Sequence, residues 1–447
     1  MRNRSNGGGV AVNACTIDSG ALDAARRERV DWRFKALPSA MHGLTLAEAA
    51  ATRSDLFSDG FLGPYVVLDE QALEHNLRTM AEWAAGHGLA LAPHGKTTMS
   101  PQLFARQIEH GAWGITAANA SQLRVYRAFG VSRVLLANQL LDPAALRWLS
   151  AELDTDPSFE FTCWVDSVEG VRLMGQALRE CGALRRVDVL VELGGAGGRT
   201  GVRDTGTAVA VAEAAHAEPA LRLTGAGGYE GALAHDSSER ARGIVTTYLR
   251  SLRDLVGNLA TRGLLSDTEQ VIVTAGGSAY FDQVAAELAD PVPGAPPVLP
   301  VLRSGAYLTH DDGFYRGISP LGAVPRIEGV PVLRPALRAW AQVTSLPSAG
   351  LALLTIGKRD ASFDEGLPEP QVLRGRGGPA TALTGHEITA LNDQHAFLSL
   401  PPGSPVAVGD WVGLGLSHPC TVFDKWPVIP VTGPDGSTVI DLVRTYF

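Results

Sequence analysis

The chain has 447 residues, 45% apolar and 19% charged, with 38 Lys and Arg against 47 Asp and Glu for a net charge of −9. This composition excludes a disordered chain, and a mildly acidic balance without a Lys/Arg cluster excludes nucleic acid or an anionic membrane as main partner. Four cysteines, Cys15, Cys163, Cys181 and Cys420, exclude a disulfide scaffold, and no apolar run reaches the ~18–20 residues that span a bilayer.

Met1–Gly20 is polar, carries Gly7-Gly8-Gly9 and lacks an apolar signal core, so it reads as a loose tail on a cytoplasmic enzyme. Residues 1–60 form an N-terminal extension, partly flexible, with one helical stretch near Leu44–Ala51. Tyr65–Asp69 is a short apolar strand, and Leu73, Leu77, Met80 and Ala84 then repeat at helical spacing. Strand-like runs follow at Leu89–Pro93, Gly114–Ala118, Ser132–Ala137, Phe159–Val165, Val187–Leu193, Leu221–Ala226, Gln270–Ala275 and Val298–Arg303. Helical stretches such as Ser121–Phe129, Ser167–Cys181, Thr205–His216 and Glu239–Arg262 lie between them. Eight such strands, each followed by a helix, predict an α/β fold with a (β/α)8 TIM-type barrel over 61–315. An open doubly wound sheet fits the same alternation.

Beyond Tyr315 Pro and Gly become frequent and helical periodicity stops. Runs at Ala339–Thr344, Gly350–Ile356, Glu387–Leu391, Ala396–Leu400, Trp411–Leu416 and Trp426–Pro430 predict a C-terminal all-β domain over 316–447.

Six constellations carry candidate chemistry. Lys96, in Ala92-Pro93-His94-Gly95-Lys96-Thr97-Thr98, sits at the end of the first barrel strand. A P-loop would need Gly at position 90, which is Ala90. A Lys at a barrel mouth can be desolvated and form a Schiff base, or it can be a solvated loop residue. After the fifth strand, Gly194–Val202 does not satisfy a dinucleotide fingerprint, because Thr200 stands where a Gly is required. Its glycines permit close approach to a ligand, and Arg199 can point into the mouth. Gly227-Gly228-Tyr229-Glu230-Gly231 follows the sixth strand. Thr274-Ala275-Gly276-Gly277-Ser278 follows the seventh, where barrels place phosphate sites, although Ser278 can equally be a plain helix cap.

In Ser417-His418-Pro419-Cys420-Thr421, an extended backbone would aim His418 and Cys420 at one metal ion. Imidazole plus thiolate suits zinc in an open site completed by water or substrate; a core His and a free thiol is the plain alternative. Tyr307–Asp312, with His310 and Asp311, either meets substrate or satisfies the domain junction. His235 and Asp236 are equally open, while His386 and His395 read as structural.

Together and in this order, Pro93–Thr97, Gly198–Val202, Gly228–Gly231, Ala275–Ser278 and His418–Trp426 resemble the pyridoxal-phosphate (PLP) enzymes of the alanine racemase fold type, fold type III. Within them the chain is similar to the D-serine dehydratase and D-threonine aldolase branch, close to proteins named amino acid deaminases. The resemblance implies that Lys96 carries the cofactor as a Schiff base, that Arg199 meets its phenolic oxygen and that Tyr229 lies against its ring. It implies that Gly276, Gly277 and Ser278 hold the phosphate and that His418 and Cys420 bind zinc. D-threonine aldolases have Asp two residues after the His, so Cys420 favours the dehydratase side. The implied reaction turns a D-3-hydroxy amino acid such as D-serine into a keto acid and ammonia, by a homodimer. Retro-aldol cleavage to glycine and an aldehyde, racemisation, and non-catalytic cofactor binding are the alternatives.

Overall fold

The computed structural model describes residues 14–447; most of the predicted tail lies outside the described residues. After a first strand, β1 (Tyr65–Asp69), come β2 (Ala90–Leu91), β3 (Ile115–Ala117), β4 (Arg133–Gln139), β5 (Glu160–Val165), β6 (Val187–Leu193), β7 (Leu221–Gly228), β8 (Val271–Ala275) and β9 (Val298–Leu302). The eight strands β2–β9 are all parallel, in the order β2-β9-β8-β7-β6-β5-β4-β3. A parallel bridge between His94 and Thr116 joins the two ends of that order, supported by Thr116 N donating to Pro93 O at 2.8 Å. The closed barrel, and not the open sheet, is therefore the arrangement.

The strands form because they are runs of Val, Leu and Ile buried on both faces: every residue of β8 is buried. Ala92, Leu135, Trp164, Leu190, Ile272 and Val301 fill the barrel interior as a separate apolar cluster. Outside, six of the helices that follow strands start at a short polar cap, whereas helices Pro101–Glu109 and Phe281–Leu288 begin without one. Asp69, Asn119, Asp142, Ser167, Asp204 and Ser238 each accept a backbone N–H of the first turn. Leu73, Leu77, Met80 and Ala84 turn their predicted stripe onto the strands from helix Glu70–Gly86.

The second sheet comprises β10 (Leu337–Ser348), β11 (Leu351–Leu354), β12 (Glu369–Arg374), β13 (Ala380–Ala382), β14 (Glu387–Leu391), β15 (Ala396–Ser399), β16 (Trp411–Gly415), β17 (Val428–Thr432) and β18 (Val439–Arg444), together with β1. β1 lies between β10 and β17, pairing Val66 with Ala339 antiparallel and Leu68 with Val431 parallel. One strand inside the predicted barrel span thus belongs to the β domain, and the two units share a seam of chain.

The N-terminal segment is also less loose than its composition suggests. Thr16 N donates to Ser132 Oγ at 2.8 Å and Asp18 N to Phe129 O at 2.9 Å, and Asp18 caps helix Ser19–Arg26. Further on, Arg26 pairs with Asp441, Glu28 with Arg444 and Lys35 with Asp360. The segment straps the barrel to the β domain. None of the described helices is long and apolar enough to cross a membrane.

Candidate active site

A cavity of about 480 Å³ opens at the C-terminal ends of the barrel strands, against the β domain. Lys96 enters it from a single 3-10 turn, Gly95–Thr97, directly after β2. Beside it His94 is half-buried, and its buried Nδ1 has no hydrogen-bond partner among the described residues. Burial first, then the charges of Lys96, Arg303 and Arg199, hold the His94 imidazole well below its ordinary value, so it is neutral.

The loop after β6 is an excursion closed by a bridge between Leu193 and Val202. Its glycines wrap the Arg203 guanidinium, which donates to the carbonyls of Gly198, Arg199, Thr200 and Gly201. That inward collapse leaves Arg199 facing the cavity, its guanidinium carbon 4.8 Å from the centroid of the Tyr229 ring. Buried Glu192 anchors the loop from below, accepting from Thr200 Oγ1 at 2.9 Å and Gln139 Nε2 at 2.6 Å. Desolvation raises the Glu192 carboxyl above the usual range.

After β8, Gly277 and Ser278 line the cavity. Gly276 sits behind them. The Gly276 and Gly277 amides donate to the two oxygens of Glu230, at 2.8 and 3.0 Å. Glu230 is 0% exposed.

The chain brings His418 and Cys420 together at the β-domain wall of the same cavity, but not by extended alternation. His418 has φ +48°, Pro419 is helical at φ −53°, and Cys420 opens the short helix Cys420–Phe423. Proline fixes φ near the helical value, so the segment turns instead of extending. His418 hydrogen-bonds Asp364 through Nδ1 at 2.5 Å, and Cys420 Sγ lies 3.4 Å from Thr97 Oγ1. The hydrogen bond with Cys420, opposed by burial and aided by Asp364, pushes His418 up to about 9. Burial raises the Cys420 thiol, but His418, Thr97 and the Lys96 charge outweigh it and leave the thiol below its ordinary value.

Several cavity residues carry no sequence signal of their own. Arg303, 1% exposed after β9, donates to Thr274 Oγ1 and Gly228 O, both at 2.5 Å. Its guanidinium lies over the Trp164 ring at 4.9 Å. Asn138, Phe314, Tyr315 and Glu365 complete the walls. Asp311 ties the walls together, accepting the amides of Gly313, Tyr315, Arg316 and His418. His235 lines the cavity too, whereas His386 bonds Thr384 O and Ser404 Oγ within the β domain.

These residues fit pyridoxal phosphate. Among the described residues, His94 Nδ1, Trp164 Nε1 and Arg303 Nε are buried, partnerless nitrogens, and all three residues line the cavity. Buried polar atoms left so are costly unless a ligand meets them. A primary amine, Lys96, shares the space. For a metal the donor set is the His418–Cys420 pair, with Asp364 orienting the imidazole as an outer partner does. No group of three or more His, Cys, Asp or Glu poised for a metal occurs among the described residues.

Comparison with known proteins agrees with this layout. Residues 68–290 match the family model "Alanine racemase, N-terminal domain", and residues 336–432 match "Putative serine dehydratase domain". The chain is 28% identical over 351 residues to a D-threonine aldolase of Arthrobacter sp, covering 76% of this chain and 81% of that protein. It is 27% identical over 313 residues to a 3-hydroxy-D-aspartate aldolase of Paracoccus denitrificans (strain Pd 1222), covering 68% and 74%. The fold matches the crystal structure of D-threonine aldolase from Filomicrobium marinum with a TM-score of 0.70 at 24% identity, covering 86% of this chain and 95% of that one. It matches D-threo-3-hydroxyaspartate dehydratase from Delftia sp. HT23 at 0.67 and 22% identity, covering 86% and 98%. With an alanine racemase-type barrel, a serine dehydratase-type β domain and their seam in this order, the chain belongs to the D-serine dehydratase and D-threonine aldolase family of the PLP-dependent alanine racemase fold.

Proposed function

We propose that this protein is a PLP-dependent, zinc-assisted dehydratase. It acts on D-serine or a related D-3-hydroxy amino acid and releases a keto acid and ammonia. The observation that carries the reading is one cavity bounded by a lysine amine on the barrel side and an imidazole–thiol pair on the other. Lys96, Arg199, Tyr229, Gly277 and Ser278 would hold the cofactor, with Gly276 supporting the loop from behind. Pyridoxal phosphate supplies an electron sink for charge developing at the α-carbon. His418 and Cys420 would hold zinc, which supplies Lewis-acid polarisation of a hydroxyl.

The chain's own residues then have separable tasks. Among the described residues Lys96 Nζ is the only primary amine lining the cavity, which makes it the base for the α-proton. Neutral His94 beside it adds no positive charge to oppose that role. Arg303, held by Thr274 and Gly228, keeps a fixed cation in the barrel centre. Phe314 and Tyr315 exclude water from the metal side. Exposed Phe363 and Leu367 flank Glu365 at the rim, a surface that a second copy of the chain would cover in a homodimer.

Retro-aldol cleavage is the second reading, because both curated relatives above are named aldolases. A screen of D-3-hydroxy amino acids, with and without chelator, separates the two. Keto acid plus ammonia supports the dehydratase; glycine plus aldehyde supports the aldolase. A purified protein without the visible absorbance of lysine-bound pyridoxal phosphate, or one whose absorbance survives Lys96→Ala, sinks both.

A further inference from the structure

The Gly276 and Gly277 amides, the natural anion donors of the loop after β8, are already bonded within the chain. Glu230, 46 residues earlier, gives one carboxylate oxygen to each. A two-pronged acceptor on two successive amides fixes the direction of both peptide planes. From the opposite side Ser304 Oγ donates to Gly277 O at 2.7 Å. The loop is thus clamped by groups from the ends of β7 and β9, the strands that flank β8. What the clamped loop presents to the cavity is Gly277 and Ser278, facing Gly305 and Ala306 from the next loop. Barrels place phosphate sites at these two loops.

We infer that Glu230 is a positioning residue for the phosphate of the cofactor, setting the Gly276–Ser278 loop so that Ser278 and the following loop meet the anion. The inference rests on the proposed pyridoxal phosphate site. A carboxylate this close to a dianion would be unfavourable alone, but the buried Arg303 cation lies near enough for the Glu230 charge to offset part of the desolvation of that guanidinium. Glu230 therefore acts on the anion through the backbone and not by contact.

Affinities for pyridoxal phosphate and for pyridoxal, which lacks the phosphate, provide the test, titrated by absorbance in full-length wild type, Glu230→Gln and Ser304→Ala. Gln retains one acceptor oxygen but turns an N–H₂ toward the second amide, so the clamp loosens without losing bulk. Wild type is expected to prefer pyridoxal phosphate strongly. E230Q should lose at least about tenfold of that preference, the size expected from one charged hydrogen bond, with pyridoxal affinity nearly unchanged. S304A should shift the ratio the same way by a smaller factor and does not depend on E230Q folding. A structural role alone would weaken both ligands equally, so an unchanged ratio in both variants overturns the inference. So does tighter phosphate binding in Glu230→Ala, which would mean that Glu230 occupies the anion's own place. Failure of wild type to bind pyridoxal phosphate overturns the underlying site as well and is seen before any variant is compared.

Discussion

Nδ1 of His418 lies 2.5 Å from Oδ2 of Asp364, so a metal held by this ring would take the other nitrogen, Nε2, in place of its proton. Asp364 also accepts from Thr421 Oγ1 at 2.8 Å, which ties the carboxylate to the turn that carries Cys420. Asp364→Asn keeps the size and one acceptor but removes the charge that favours this tautomer. With zinc held by His418 and Cys420 as proposed, its affinity, measured by chelator competition, is expected to fall roughly 10–100-fold, and kcat with it. Thermal stability should hardly move, because the Asp364 side chain is 43% exposed. Unchanged zinc affinity would remove Asp364 from the metal site.

Two glycine substitutions should have opposite signs. Gly276 has φ +102°, and a Cβ there would overlap Leu302. Gly276→Ala should destabilise by roughly 1–3 kcal/mol from backbone strain alone. Gly243 lies inside helix Glu239–Thr261 with nothing within 4 Å of an added Cβ. Gly243→Ala should stabilise by roughly 0.5–1 kcal/mol. Urea unfolding of both variants checks the pair.

What could be read from the sequence followed physical range. The barrel strands were legible because parallel strands buried on both faces must be continuous apolar runs. Their pairing was not: Tyr65–Asp69 is equally apolar in either sheet, and only its partners Trp340 and Val431 place it in the β domain. β13, Ala-Thr-Ala and wholly exposed, has no alternation to detect. The His-x-Cys spacing pairs His418 with Cys420 through an extended backbone, whereas in the fold a left-handed His and a helical Pro bring them together. Glu230 and Arg303 act across 46 and 75 residues of chain, a separation that no local pattern encodes.

The N-terminal strap has one point of concentrated attachment. Lys35 Nζ lies 3.8 Å from the centroid of the Trp426 ring and 3.0 Å from Asp360 Oδ1, whose side chain is only 7% exposed. Lys35→Met keeps the apolar stem and deletes the charge. It leaves Asp360 without its cation and should cost about 1–2 kcal/mol. A loss below about 0.3 kcal/mol in urea unfolding would show the strap held by other contacts.

His310 supplies the acid limb of stability. It is 2% exposed, and burial, with a further push from the Arg316 charge, lowers it to about 4. A folded value below the ordinary 6.5 means that the unfolded chain binds the proton more readily. The contribution is therefore complete above about pH 6.5 and is lost as pH falls toward 4, by about 3 kcal/mol in total. His310 also has φ +46°, which Asn tolerates better than most residues. His310→Asn removes the titration while keeping the backbone, so its unfolding free energy should fall less steeply than wild type between pH 6.5 and 4. Some slope must remain, because His94 is displaced in the same direction. Identical slopes in the two proteins would mean that His310 takes up its proton in the folded state without cost.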